Sequence, residues 1–173
     1  MNPQAVIGID PGKDGFLCLL PMEARQEIQF QPMPMITPTG GKGKRRYDVS
    51  ALVRVLREWR DTYDVALTAV ERQQVHPGQG SVSCFSIGEG FGLLVGVVMT
   101  LGLSLECPHP RTWQKIMHMD IPGSDPKART IEACGKLFPQ IDLRASEQCR
   151  VQHDGKADAL LIATWARRQV VGV

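Results

Sequence analysis

The chain has 173 residues, 43% of them hydrophobic and 22% charged, with a formal net charge of +2. That length implies one domain, here residues 1–173, with enough chain to bury a core without disulfides or a structural metal. The composition excludes a mainly disordered chain, and the longest apolar region, 85–105, is broken by Glu89 and by Gly88, Gly90, Gly92, Gly96 and Gly102, so no membrane span is expected.

In chain order, Ala5–Ile9 reads as a buried strand that stops at Asp10-Pro11-Gly12, and Gly15–Leu20 as its hairpin partner. Glu27–Gln31 alternates as a half-exposed third strand. Pro32–Tyr47 follows as a long loop rich in proline, glycine and basic residues. Asp48 is a candidate N-cap for a helix over Val49–Tyr63 with Leu52, Val55, Leu56 and Trp59 on one face. Val65–Val70 is a strand that ends in Glu71. A loop over Gln73–Ser81 leads to a helix over Ser86–Leu101. Its Gly88, Gly92 and Gly96 form a smooth stripe for packing on the sheet or against a second subunit. Leu103–Cys107 is a strand. Helices over Arg111–Met117, Pro126–Phe138 and His153–Val170 complete the chain. Three antiparallel strands followed by strands alternating with helices predict an α/β domain, a mixed sheet with helices on both faces.

The net charge hides an uneven distribution, since residues 42–60 carry +5 and residues 61–110 carry −4. One part of such a chain suits a polyanion and another a metal. Five cysteines, widely spread and without a CxxC pair, argue against a disulfide framework or a four-cysteine zinc site and point to a reducing, cytoplasmic setting. The N-terminus has no basic stretch ahead of an apolar one, so no signal peptide is expected.

Four carboxylates stand out. Asp10 and Glu71 each follow a buried strand. Asp154 and Asp158 lie four apart at the start of the last helix, on one face, where like charges repel unless something compensates them. Converging carboxylates are what hard divalent cations take, and two such ions can activate a water and stabilise the leaving oxygen of a phosphodiester. Each acid also has an ordinary reading: Asp10 as a turn former, Asp154 as a first-turn residue favoured by the helix dipole. Asp158 resists one, because ALLIATWA follows it.

GIDPG with Gly15 behind it, VERQQVHPGQG, PRTWQK and HDGKADALLIA together resemble the RuvC-like Holliday junction resolvases, most nearly the phage and prophage branch. The matches run from residue 6 to about residue 166, in the family's order. The resemblance implies a ribonuclease-H-like mixed five-stranded sheet with helices on both faces. It also implies a crossover junction endodeoxyribonuclease that works as a homodimer with Mg²⁺, or Mn²⁺ in its place, two ions per site. Asp10, Glu71 and Asp158 fall on the family's metal-binding acids. The fourth position departs from the pattern: three residues before the last acid stands Gly155, so Asp154 is favoured as ligand and His153 is the runner-up.

The cluster Lys42, Lys44, Arg45 and Arg46 suits phosphates of DNA arms, or else a solvated charge run. Gln73, just past Glu71, is a candidate contact near the cut, and Tyr47 a candidate stacking residue or helix cover. Trp113 and Trp165 read as core residues. The expected partner is four-way or branched DNA. Another ribonuclease-H-like nuclease, cutting RNA or nicking branched DNA, and a non-catalytic nucleic-acid binder are the alternatives. An actin-like kinase shares the strand-turn but needs two such domains.

Overall fold

The computed structural model describes residues 1–38 and 44–172. Its sheet is built from β1 (Gln4–Ile9), β2 (Phe16–Pro21), β3 (Gln29–Pro32), β6 (Asp64–Val70) and β7 (Leu105–Glu106), in the order β3-β2-β1-β6-β7. The β1–β2–β3 ladders are antiparallel, while β1–β6 and β6–β7 are parallel. This is the expected mixed five-stranded sheet.

Alternation along the strands sorts their side chains onto two cores. Val6, Cys18, Leu20, Leu67 and Ala69 point to one face, covered by α3 (Pro110–Met117), α4 (Pro126–Leu137) and α5 (Asp154–Val171). Ile7, Ile9, Leu17, Leu19 and Val70 point to the other, covered by α1 (Val49–Thr62) and α2 (Ser81–Thr100). Helix α1 starts where its sequence says: the Asp48 carboxylate accepts from the Ala51 N–H at 2.9 Å, a side-chain N-cap.

Helix α5 is buried from Ala159 to Ala166 without a break, as expected of a helix apolar all round and sandwiched between a sheet and other helices. It lies on β1 at backbone distance. A Cβ on Gly8 would come within 2.3 Å of both the Ala159 carbonyl oxygen and the Ala163 nitrogen. Only a residue without a side chain fits there.

Three expectations need correction. Residues 32–47 are not a structureless loop: β4 (Met35–Ile36) and β5 (Arg46–Tyr47) pair antiparallel, held because Met33 is buried and Met35 and Tyr47 pack on the α1–α2 core. Helix α2 starts at Ser81 instead of Ser86, since nothing in SVSCF breaks a helix and the preceding turn ends at Gly78 (φ +87°) and Gly80. The glycine stripe does not pack on the sheet. Gly90, Leu94, Val97 and Val98 form the buried face of α2, and a Cβ on Gly88, Gly92 or Gly96 would meet nothing within 4 Å.

The Gly8 contact makes a direct prediction. Gly8→Ala should cost at least the ~1–3 kcal/mol of an overpacked core, because the obstacle is rigid backbone. Gly135→Ala, in the last turn of α4 with open space around it, should gain part of the ~1 kcal/mol helix-propensity difference. Urea denaturation of the two variants beside the parent measures both signs.

Candidate active site

Asp10 and Glu71 leave the sheet side by side. Ile9 and Val70 are register partners on parallel strands, and the Glu71 N–H donates to the Ile9 carbonyl at 3.1 Å. Both carboxylates therefore emerge at the carboxyl edge of the strands, where open α/β sheets place their sites. Asp10 is fixed locally: its Oδ1 accepts from the Gly12 N–H at 3.2 Å. Gly15 and Gly155 crowd its other oxygen, since a Cβ on either would lie 2.9 or 2.8 Å from Oδ2. The first turn of α5 is thus seated on Asp10. That brings in Asp154, and Asp158 one turn later on the same face.

The four acids are half-buried and sense one another. Asp158 is pushed up to about 8, first by burial and then by the Asp10 and Glu71 charges. Burial lifts Glu71 to about 7, partly opposed by the hydrogen bond from Trp113 and reinforced by Asp10. Asp10 rises to about 6, again mainly through burial. Asp154 moves the other way, because the Lys127 ammonium binds its carboxylate and holds it charged. Burial and like charge favour the protonated forms, so the site lacks positive charge at its deep end.

Comparison with solved structures gives the frame. The structure of Thermus thermophilus RuvC matches at a TM-score of 0.58 and 17% identity, over 97% of this chain and 96% of that one. The same protein in complex with a Holliday junction substrate matches at 0.56 and 17%, over 98% and 96%. The yeast mitochondrial Holliday junction resolvase Ydc2 matches at 0.59 and 13%, over 98% and 80%. This chain has the RuvC-type, ribonuclease-H-like fold. No family model matches the sequence, and no curated protein is significantly similar to it.

On this RuvC-type frame the donor set is wholly carboxylate oxygen, which fits a hard divalent cation and not a soft one. Among the described residues, no three His, Cys, Asp or Glu side chains stand as an assembled metal centre. The acids are also engaged by the protein itself: besides Asp10 on the Gly12 N–H, Glu71 Oε1 accepts from Trp113 Nε1 at 2.9 Å, and Asp154 is paired with Lys127. His153 stands next to the cluster, its Nδ1 3.9 Å from Asp154 Oδ1 and its ring edge-on to Phe16.

Trp113 and Lys127 are the residues that sequence reasoning missed. Trp113 is fully buried, as a core residue should be, but its indole N–H also orients Glu71. PRTWQK marked the place without the role. Lys127 had no local signal, because its contact depends on where α4 docks against α5.

Of the DNA-contact candidates, Arg45 and Gln73 lie beside the turn that carries Asp10. Arg45 pairs with Asp14 at 2.6 Å and its carbonyl accepts from Lys13 Nζ at 3.2 Å, tying β5 to the β1–β2 turn. Lys44 and Arg46 are exposed and, among the described residues, make no ion pair. Lys42 lies outside the described residues. Gln73 is half-buried beside the Pro11–Gly12 turn.

The raised acids fix a pH dependence. In the unfolded chain they titrate near pH 4, so from about pH 4 to 8 the folded state holds more protons than the unfolded one. Metal-free stability should therefore fall as pH rises through that window. Asp158→Asn removes the largest contribution. It should be more stable than the parent at pH 8.5, by on the order of 2 kcal/mol, and no more stable at pH 4. Denaturation in chelator across this range gives the comparison.

Proposed function

We propose that this chain is a metal-dependent endonuclease that resolves Holliday junctions or other branched DNA by paired phosphodiester hydrolysis. The observation that carries the reading is the grouping of Asp10, Glu71, Asp154 and Asp158 at the strand ends of a RuvC-type frame, with the Lys127 ammonium as counter-charge on Asp154. Of the two neighbouring proteins, Ydc2 is a Holliday junction resolvase and the RuvC is seen with a Holliday junction substrate, which extends the reading to branched DNA. Mg²⁺, with Mn²⁺ as substitute and two ions per site, would be held by these four carboxylates. Such ions neutralise the acids, polarise a phosphoryl oxygen and lower the pKa of water.

The chain's own residues prepare that site. Trp113 holds one oxygen of Glu71. The Gly12 N–H fixes Asp10. Lys127 keeps Asp154 ionised and must release it before the fourth carboxylate can join the other three. Lys42, Lys44, Arg45 and Arg46 are assigned to the phosphates of the DNA arms, where each neutralised phosphate adds salt dependence, and Gln73 to a contact near the cut.

A synthetic four-way junction, incubated beside linear duplex with Mg²⁺, Mn²⁺ or chelator, should be nicked symmetrically only in the presence of metal. Asp10→Asn and Asp158→Asn should each lose about 10³-fold or more in cleavage rate, the several kcal/mol that metal-centred charge stabilisation supplies, and keep junction binding. Mg²⁺ should raise the melting temperature of the parent and not of Asp158→Asn. Full cleavage by either variant would refute the assignment.

Two symmetric nicks require two such sites, and one chain carries one, so the active form is proposed to be a homodimer. Helix α2 supports this. It is 20 residues long with a mean hydropathy of 1.8, long and apolar enough to cross a membrane, and only 22% of it is buried. The expectation drawn from its interruptions therefore fails on this measure, since glycine breaks the run of side chains without adding polarity. Its outer face shows Val82, Phe85 and Met99, 64–73% exposed, beside the bare backbone of Gly88, Gly92 and Gly96. Apolar side chains interleaved with glycines let two helices approach closely. Sedimentation should give twice the 19.1 kDa chain mass, and Phe85→Glu should return the monomer while leaving the fold intact. A parent that stays monomeric on the junction would leave a nickase of branched DNA. Binding of α2 to lipid vesicles would assign its face to a membrane instead.

A further inference from the structure

Helices α3 and α4 meet through a pair of buried polar side chains. His118, the residue that ends α3, is 2% exposed, and Thr130, in the second turn of α4, is 1% exposed. The His118 Nε2 lies 3.1 Å from the Thr130 Oγ1. Burial and the nearby Arg129 charge push the His118 pKa down, so the ring is neutral and carries one proton. Arg129 also fixes the backbone here. Its guanidinium donates to the His118 carbonyl at 2.7 Å and to the Ile121 carbonyl at 3.0 Å.

Thr130 also faces the last helix. Lys127, Thr130 and Cys134 share one face of α4. Lys127 holds Asp154, and the Cys134 thiol donates to the Ala157 carbonyl at 3.4 Å, so Thr130 sits on the α4–α5 seam between them. There its hydroxyl hydrogen-bonds the Asp158 carboxylate and offsets part of the pKa rise that burial causes. A hydroxyl has one proton and two lone pairs. The Thr130 proton serves either the Pro126 carbonyl, 3.0 Å away, or Asp158. Both uses leave only a lone pair for His118, which makes His118 the donor, protonated on Nε2. The histidine thus holds the Thr130 oxygen whichever acceptor its proton takes.

We propose that Thr130 is a positioning residue that orients the Asp158 carboxylate for a divalent cation, with His118 locking the hydroxyl in place, an inference that rests on the nuclease reading above. Trp113 does the same for Glu71 through its indole N–H. The His118 ring packs edge-on against that indole, with centroids 5.8 Å apart, so one buried histidine braces the holders of two acids. Side chains that orient metal ligands in this way are worth about 10–100-fold in metal affinity or activity.

The test uses the full chain, with Mn²⁺ binding followed by titration calorimetry and cleavage followed on a four-way junction. Thr130→Val keeps the shape and removes the hydroxyl. It should weaken Mn²⁺ binding by roughly tenfold or more and lower kcat by a similar factor, with KM for the junction within about twofold of the parent, because Thr130 acts on a metal ligand and not on the DNA. Thr130→Ser restores the hydroxyl and should bind Mn²⁺ within about threefold of the parent, a rescue that a packing role for the threonine methyl does not predict. If circular dichroism shows Thr130→Val misfolded by the unpaired His118 N–H, the double change with His118→Leu removes both polar groups together and carries the same expectation. In chelator, ¹⁵N spectra of the parent should show His118 as the Nε2–H tautomer, and the Nδ1–H tautomer would overturn the lock. A folded valine variant that binds Mn²⁺ as tightly as the parent, or a serine variant as impaired as the valine one, overturns the proposal. A parent that binds Mn²⁺ and cuts no junction refutes the nuclease reading alone, and the Mn²⁺ affinities of the two variants still decide the role of Thr130.

Discussion

Everything at the carboxyl edge of the sheet depends on how closely α5 lies on β1. The approach is possible because Gly8 presents no side chain: a Cβ there would overlap the backbone at Ala159 and Ala163. Gly15 and Gly155 repeat the device around the Asp10 carboxylate. At Gly8 the helix meets the strand backbone to backbone, while the side chains of Val6, Cys18 and Leu20 fill the rest of the seam. Asp154 and Asp158 are carried to the strand ends by backbone geometry that no rotamer change can undo. The rest of α5, buried from Ala159 to Ala166, anchors it in the core formed with α3 and α4.

Close approach has an electrostatic consequence. Burial raises the pKa of carboxylates in this setting, and neighbouring carboxylates raise it further. The order Asp158, Glu71, Asp10, at about 8, 7 and 6, starts with the acid whose rise owes something to three other carboxylates. At the outer end Lys127 reverses the sign for Asp154. The site is therefore polarised: the carboxylate beside α4 is held charged, while the three deeper acids are shifted towards their protonated forms.

The two faces of the sheet are used differently. The α5 face positions acids. The α1–α2 face positions Tyr47, through contact with Gly90 and a hydrogen bond to Pro11, and leaves the outer side of α2 uncovered. Glycine serves opposite ends on the two faces. On β1 and α5 it admits a contact already made within the chain. On α2, at positions 88, 92 and 96, it leaves backbone bare on the outer face.

Much of this was legible in the sequence because it is local. The period-2 strands, the Asp48 cap, the strand-end acids and the i, i+4 spacing of Asp154 and Asp158 are read from neighbours in the chain, and the GIDPG and ADALLIA segments carried the fold class. Element boundaries failed where tertiary packing overrode local pattern: the β4–β5 ladder exists because Met33, Met35 and Tyr47 find the α1–α2 core. Tertiary structure alone decided which groups hold the acids. Trp113 reaches Glu71 across 42 residues, and Lys127 reaches Asp154 from a helix whose own sequence says nothing of that contact. It also decided the meaning of the glycines, since the same residue type fills a crowded seam at Gly8 and an open face at Gly92. A sequence specifies which side chains are present and their spacing along one element. Distances between elements follow from how two cores pack on one sheet, and the chemistry of four carboxylates is set by those distances.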